Sequence, residues 1–145
     1  MRKLATDRAG LEILHLGDCF GLLGSAPVGR IGFLAGGEVV ILPVNFLVDG
    51  QDVVFRTAHG SKLSSIEVGR YVGFEADAYD AATETGWSVL VSGLAEIVED
   101  DADVARLAEL GLRSWGGGAA EMVWVRIRPT SISGRRLPAA ARGSG

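Results

Sequence analysis

Twenty-one glycines are distributed along this 145-residue chain, spaced rather than clustered, and they punctuate short runs rich in valine, isoleucine and aromatic residues. Segments that short, separated by tight-turn residues, are the pattern of a small antiparallel β-barrel or sandwich. The turn chemistry is specific at two points. Gly36-Gly37 and Asp49-Gly50 each sit between β-type runs and read as two-residue hairpins. Strands are therefore expected over 29–34, 38–48, 52–57, 70–77, 86–99 and 122–133, with a bend or bulge at Gly93 in the fifth. Helical spacing is expected over 11–26, closed by Pro27, over 61–68, and over 101–110, where acidic residues occupy the first turn. Three consecutive hairpin-linked strands favour an antiparallel sheet. Six strands in so small a domain favour closure, which hides the sheet edges.

Composition removes several classes of function. At 48% apolar residues the chain can form one continuous core, so a single domain over 1–145 is expected, with 1–8 and 138–145 as flexible ends. A net charge of −4, with no basic stripe interleaved with aromatics, argues against a nucleic-acid partner. The longest apolar run, Val39 to Val48, is interrupted by Pro43 and Asn45 and is too short to cross a membrane. No apolar signal core follows the opening charges, which makes a cytoplasmic location the expectation. The lone cysteine, Cys19, excludes an internal disulfide and a cysteine-based zinc site, and its apolar neighbours favour a buried, inert thiol. His15 and His59 are isolated, so no metal site is expected.

Three segments carry candidate chemistry. In Phe55-Arg56-Thr57-Ala58-His59-Gly60-Ser61-Lys62, a strand ends in a cation and a hydroxyl, turns at a glycine, and continues with a second hydroxyl and the only lysine besides Lys3. Arg56, Thr57, Ser61 and Lys62 are the donor types a phosphate dianion needs. An exposed turn with an ordinary helix cap at Ser61 would use the same letters. In Gly86-Trp87-Ser88-Val89-Leu90-Val91-Ser92-Gly93, strand alternation separates Trp87, Val89 and Val91 from Ser88, Leu90 and Ser92. The plain reading of Trp87, a core tryptophan at a strand start, is a strong one. In Pro43-Val44-Asn45-Phe46 a proline and an asparagine interrupt a good strand, which fits either a simple β-bulge or a place where backbone groups meet a heterocycle.

Taken in order, these segments resemble the pyridoxamine 5′-phosphate oxidase-like family of flavin-binding split-barrel proteins. The first strand, Gly29-Arg30-Ile31-Gly32-Phe33, and the closing strand, Val125-Arg126-Ile127-Arg128-Pro129-Thr130-Ser131-Ile132-Ser133-Gly134-Arg135, complete the match. The resemblance implies a mainly β, six-stranded antiparallel split barrel that forms a homodimer and binds FMN between the two copies. By the same resemblance, Arg56, Thr57, Ser61 and Lys62 would hold the flavin phosphate, and Val44 and Asn45 would meet the isoalloxazine edge. Ser88 falls where the oxidases place a glutamine, Trp87 would form a wall beside it, and Arg135 is a further contact. The oxidases grip their substrate with an arginine–x–histidine pair; here the chain reads Gly134-Arg135-Arg136-Leu137-Pro138. That departure argues against oxidation of pyridoxamine phosphate. The expectation is a flavin-dependent oxidoreductase of undefined small-molecule substrate or electron donor. The alternatives are an F420-dependent reductase on the same fold and a non-catalytic flavin or haem sensor or carrier. No side chain stands out as a necessary acid or base, so no catalytic residue is assigned.

Overall fold

The computed structural model describes residues 4–58, 60, 61, 63, 66, 70–112 and 122–139. Among them are β1 (Glu12–Ile13), α1 (Leu16–Ser25), β2 (Val28–Ala35), β3 (Glu38–Asn45), β4 (Leu47–Asp49), β5 (Asp52–Ala58), β6 (Tyr71–Asp80), β7 (Thr85–Ile97), α2 (Asp101–Ala108) and β8 (Met122–Leu137). The strands form one sheet in the order β3-β2-β6-β7-β8-β5-β4, with β1 added to the far end of β8, and every pairing is antiparallel. The sheet curls until β3 approaches β5, which are separated by four strands along the ladder. None of the described helices is long and apolar enough to cross a membrane.

The curl encloses the main core. Ile31, Val53, Phe55, Phe74, Val89, Val125 and Ile127 contribute their inward faces to it, all of them essentially fully buried. Burying a side chain of this size is worth about 1.5–3 kcal/mol. Helix α1 packs on β8, β4 and β7 and adds Cys19 and Leu23 to this core. Burial pushes the Cys19 thiol pKa upward, which keeps it a neutral core residue. A second, smaller core lies on the opposite side of the β4–β5–β8 portion. There Val54 and Trp124 meet Leu107 and Leu112, with Leu47, Val98 and Val104 packed around them, so α2 and the residues after it cover that part of the sheet.

The six expected strands correspond to β2, β3, β5, β6, β7 and β8, with differences that have local causes. The expected second strand divides into β3 and β4 at Phe46, whose buried ring meets Phe74 edge-on with centroids 4.8 Å apart. Pro43 does not interrupt β3, which pairs with β2 without a shift from Glu38 to Asn45. β3 is an edge of the ladder, where a missing N–H costs no bond. The second hairpin turns on Gly50-Gln51 rather than Asp49-Gly50, because Asp49 pairs with Asp52 as a strand residue. The first helix starts at Leu16 instead of Leu11, since Glu12 and Ile13 pair with Arg136 and Arg135.

Gly93 does mark the bulge: the β7–β8 register shifts between Ser92 and Gly93. A Cβ there would lie 2.9 Å from the Arg128 carbonyl carbon, so only glycine lets the strands approach this closely. Asp100 caps α2, its Oδ2 accepting from the Asp103 N–H at 3.0 Å. From Leu4 onward the N-terminal segment is tied down, with Thr6 bridging Glu12 and Ile13 N–H donating to Ala5 O at 2.7 Å. The helix expected over 61–68 and the flexible tail expected over 138–145 lie largely outside the described residues.

Candidate functional site

Strand β5 ends in two hydroxyls brought face to face. Thr57, only 6% exposed, points to the same side as Val53 and Phe55, and its Oγ1 lies 2.7 Å from Ser61 Oγ. The turn between them explains the contact. Ser61 N–H donates to Ala58 O at 3.1 Å, and Gly60 takes φ +83°, a conformation that favours glycine. Both hydroxyls can rotate to donate to an incoming anion, so this pair suits an ester phosphate oxygen. Lys62 and His59 lie outside the described residues.

Arg56 does not join this pair. Adjacent strand residues leave on opposite faces, and Arg56 shares the face of Val54 and Trp124. Its Nη2 donates to Leu112 O at 2.6 Å, and the guanidinium carbon lies 5.7 Å from the Trp124 ring centroid. On the described geometry it fastens the segment after α2 to the sheet.

Val44 and Asn45 end β3. Val44 is buried in the main core, while Asn45 Nδ2 donates to Pro27 O at 2.9 Å and locks the chain's entry into β2. Trp87 and Ser88 lie at the start of β7. Trp87 packs against the main core, and Ser88 sits on the outer face between its cross-strand partners Asp77 and Arg135. Val89 and Val91 are buried and Leu90 is exposed, as the alternation requires.

These stations lie beside opposite ends of β8. Thr57 pairs with Val123 at one end of β8, and Ser88 pairs with Arg135 twelve residues along it. At about 3.3 Å per residue, that is a strand contour of about 40 Å.

The outer face of the sheet carries a feature that the sequence motifs did not single out. Gly32, Gly73, Ser92 and Ser131 are cross-strand neighbours, and this row of small residues forms the floor of a groove of about 550 Å³. Beside it, Arg30 Nη1 lies 3.3 Å from both Glu75 Oε2 and Asp77 Oδ2. Burial and the neighbouring Asp77 carboxylate raise the Glu75 pKa to about 7, against the opposing pull of Arg30. The signal was present in the sequence. Alternation along β6 puts Tyr71, Gly73 and Glu75 opposite Val72 and Phe74, but nothing local says which β2 residue lies across from Glu75.

At the end of β8, Arg135 Nε donates to Asp7 Oδ2 at 3.0 Å and Arg136 Nη2 to Glu12 Oε2 at 2.8 Å. Both arginines thereby hold the N-terminal segment.

Residues 16–136 match the family described as pyridoxamine 5′-phosphate oxidase. The chain belongs to this family. A Mycobacterium tuberculosis relative, described as uncharacterised, is 37% identical over 147 aligned residues that cover 97% of this chain and 95% of its own. Among solved structures, the FAD binding protein from Mycobacterium smegmatis is 42% identical, with a TM-score of 0.75 over 87% of this chain and 99% of that one. A putative pyridoxamine 5′-phosphate oxidase from Corynebacterium glutamicum is 35% identical, with a TM-score of 0.78 over 88% and 98%. The curled antiparallel sheet is the split barrel of these relatives, as the resemblance implied.

Proposed function

We propose that this protein binds a flavin nucleotide between two copies of itself and acts as an oxidoreductase on a small molecule other than pyridoxamine phosphate. The observation that carries this reading is the separation along β8. The Thr57–Ser61 pair and Ser88 lie beside opposite ends of β8, so a nucleotide held between two copies would take one station from each. The hydroxyl pair, with Lys62 from the following segment, would take the phosphate. Ser88 would come from the other copy and orient the ring, while Trp87, on the opposite face of β7, packs against the main core. Val44 and Asn45 hold the end of β3 in place beside Pro27. When bound, the flavin supplies the hydride or electron chemistry, and the protein supplies position and electrostatics. The commitment of Arg135 and Arg136 to Asp7 and Glu12 further disfavours a substrate grip of the oxidase kind.

FMN and FAD share the ester phosphate that the hydroxyl pair would recognise. FMN is the first reading from the motif, and the name of the 42%-identical Mycobacterium smegmatis relative favours FAD as the second. The absorption spectrum of the purified protein, followed by chromatography of the heat-released ligand, distinguishes them. Complementation tests the shared site. Ser61→Asp and Ser88→Glu should each abolish flavin binding alone, whereas a mixture of the two regains one intact site per heterodimer. No recovery on mixing, or full binding by either variant alone, would refute the shared-site reading.

A further inference from the structure

The outer face of β3, β2, β6 and β7 has the features of a surface that a second copy covers. Leu34, Val39, Ile41, Tyr71 and Leu90 are 55–73% exposed on it, although each is large and apolar. Large exposed apolar side chains gathered on one sheet face are uncommon on a solitary globule. The patch is not flat: the row of Gly32, Gly73, Ser92 and Ser131 sinks a groove beside the protruding side chains. A two-fold axis would let the ridges of one copy enter the groove of the other, as a self-complementary interface requires. Ser88 lies on the same face, so the partner that completes the flavin site and the partner that covers this patch would be the same molecule.

The Arg30–Glu75–Asp77 cluster lies within this patch. One guanidinium serves two carboxylates, each at 3.3 Å, so the fully ionised cluster carries one uncompensated negative charge. Among the described residues, β2 faces Glu75 with Arg30 and β6 faces it with Asp77. β7 offers Leu90 directly across, β3 offers Pro43 beyond Arg30, and β8 offers Ser133, all uncharged. Arg135 is one row further away and is held by Asp7.

Building on the two-copy reading above, we infer that dimerisation seats this face against its symmetry mate and takes up a proton at Glu75, so the dimer tightens on acidification through neutrality. Docking removes water from the carboxyl and disfavours its ionised form further. Its ordinary environment in the free chain already places the transition near neutral pH. By linkage, the dissociation constant rises with pH above that point. The rise is about tenfold for each unit by which docking raises the carboxyl in each protomer.

Sedimentation equilibrium of the full chain at about pH 6 and about pH 8.5 tests this inference. The wild-type dimer should dissociate at least tenfold more readily at the higher pH. Glu75→Gln should hold the tight constant at both. Ile41→Asp, on an exposed edge strand, should be monomeric at both while keeping its β-type circular dichroism. Equal wild-type constants, a dimer that tightens at high pH, or a pH slope that survives Glu75→Gln would overturn the proton switch yet leave the shared flavin site standing. An Ile41→Asp variant that still dimerises would overturn the choice of face. A wild-type chain that stays monomeric with flavin bound would overturn this inference together with the shared-site reading beneath it.

Discussion

Asp49→Asn should destabilise the protein by about 2 kcal/mol at neutral pH, and the size follows from the geometry. Asp49 ends β4, and its two oxygens each accept from Arg106 at 2.9 Å while Oδ2 also accepts from Arg126 at 2.9 Å. These partners, the Arg106 bonds foremost, bring the Asp49 pKa from 3.8 down to about 2, against the opposing effect of burial. At about 1.4 kcal/mol per unit, that difference stabilises the fold by about 2 kcal/mol. Arg106 is half exposed and its share is screened, whereas Arg126 is 5% exposed and keeps Asp52, at 3.0 Å, and Asp103, at 3.7 Å, once Asp49 is neutral. The weakened pairing at Arg126 is part of that figure rather than an addition to it, because Arg126 is among the causes of the Asp49 shift. Urea unfolding at pH 7 measures the loss. The sign with pH is fixed as well. A depressed carboxylate contributes fully above its unfolded pKa of 3.8, and that contribution is lost as pH falls through about 2. Wild type and variant should therefore converge between about pH 4 and pH 2. A difference below about 0.5 kcal/mol at pH 7, or one that persists unchanged at the acid end, would refute the ion-pair account.

Gly93→Ala should cost about 1–3 kcal/mol, read by thermal unfolding, because its Cβ would press on the Arg128 carbonyl in the adjacent strand; a neutral substitution would mean that the bulge relaxes freely. Ser61→Ala should weaken flavin binding by about tenfold or more with the fold intact, the loss expected for a hydrogen bond to a charged group, and fluorescence titration would expose an unaffected affinity. Glu75→Gln should stabilise the folded chain at pH 8 by about 1–3 kcal/mol and leave it unchanged near pH 4. The raised carboxyl contributes fully below its unfolded pKa of 4.5 and loses that contribution as pH climbs to about 7, so equal stability of the two proteins at pH 8 would contradict the burial of Glu75.

Where adjacent residues decide the conformation, the sequence was a reliable guide. The alternation of Val89 and Val91 with Leu90 and Ser92 depends only on backbone period, and Gly93 was legible as a bulge although the backbone it closely approaches, at Arg128, lies on β8. The same period also separates Arg56 from Thr57, yet reading the pair as one phosphate grip set that alternation aside. The structure places the two on opposite faces of β5.

The glycine punctuation and the apolar alternation were enough to specify an antiparallel β domain, because hairpin turns and strand faces are local properties. Partnership across the sheet was another matter. The curl and register set Arg30 against Glu75, wedged Phe46 against Phe74, and left Thr57 and Ser88 at opposite ends of β8. Those relations join residues tens of positions apart, and they exist only once strand order and register are fixed by packing of the whole core.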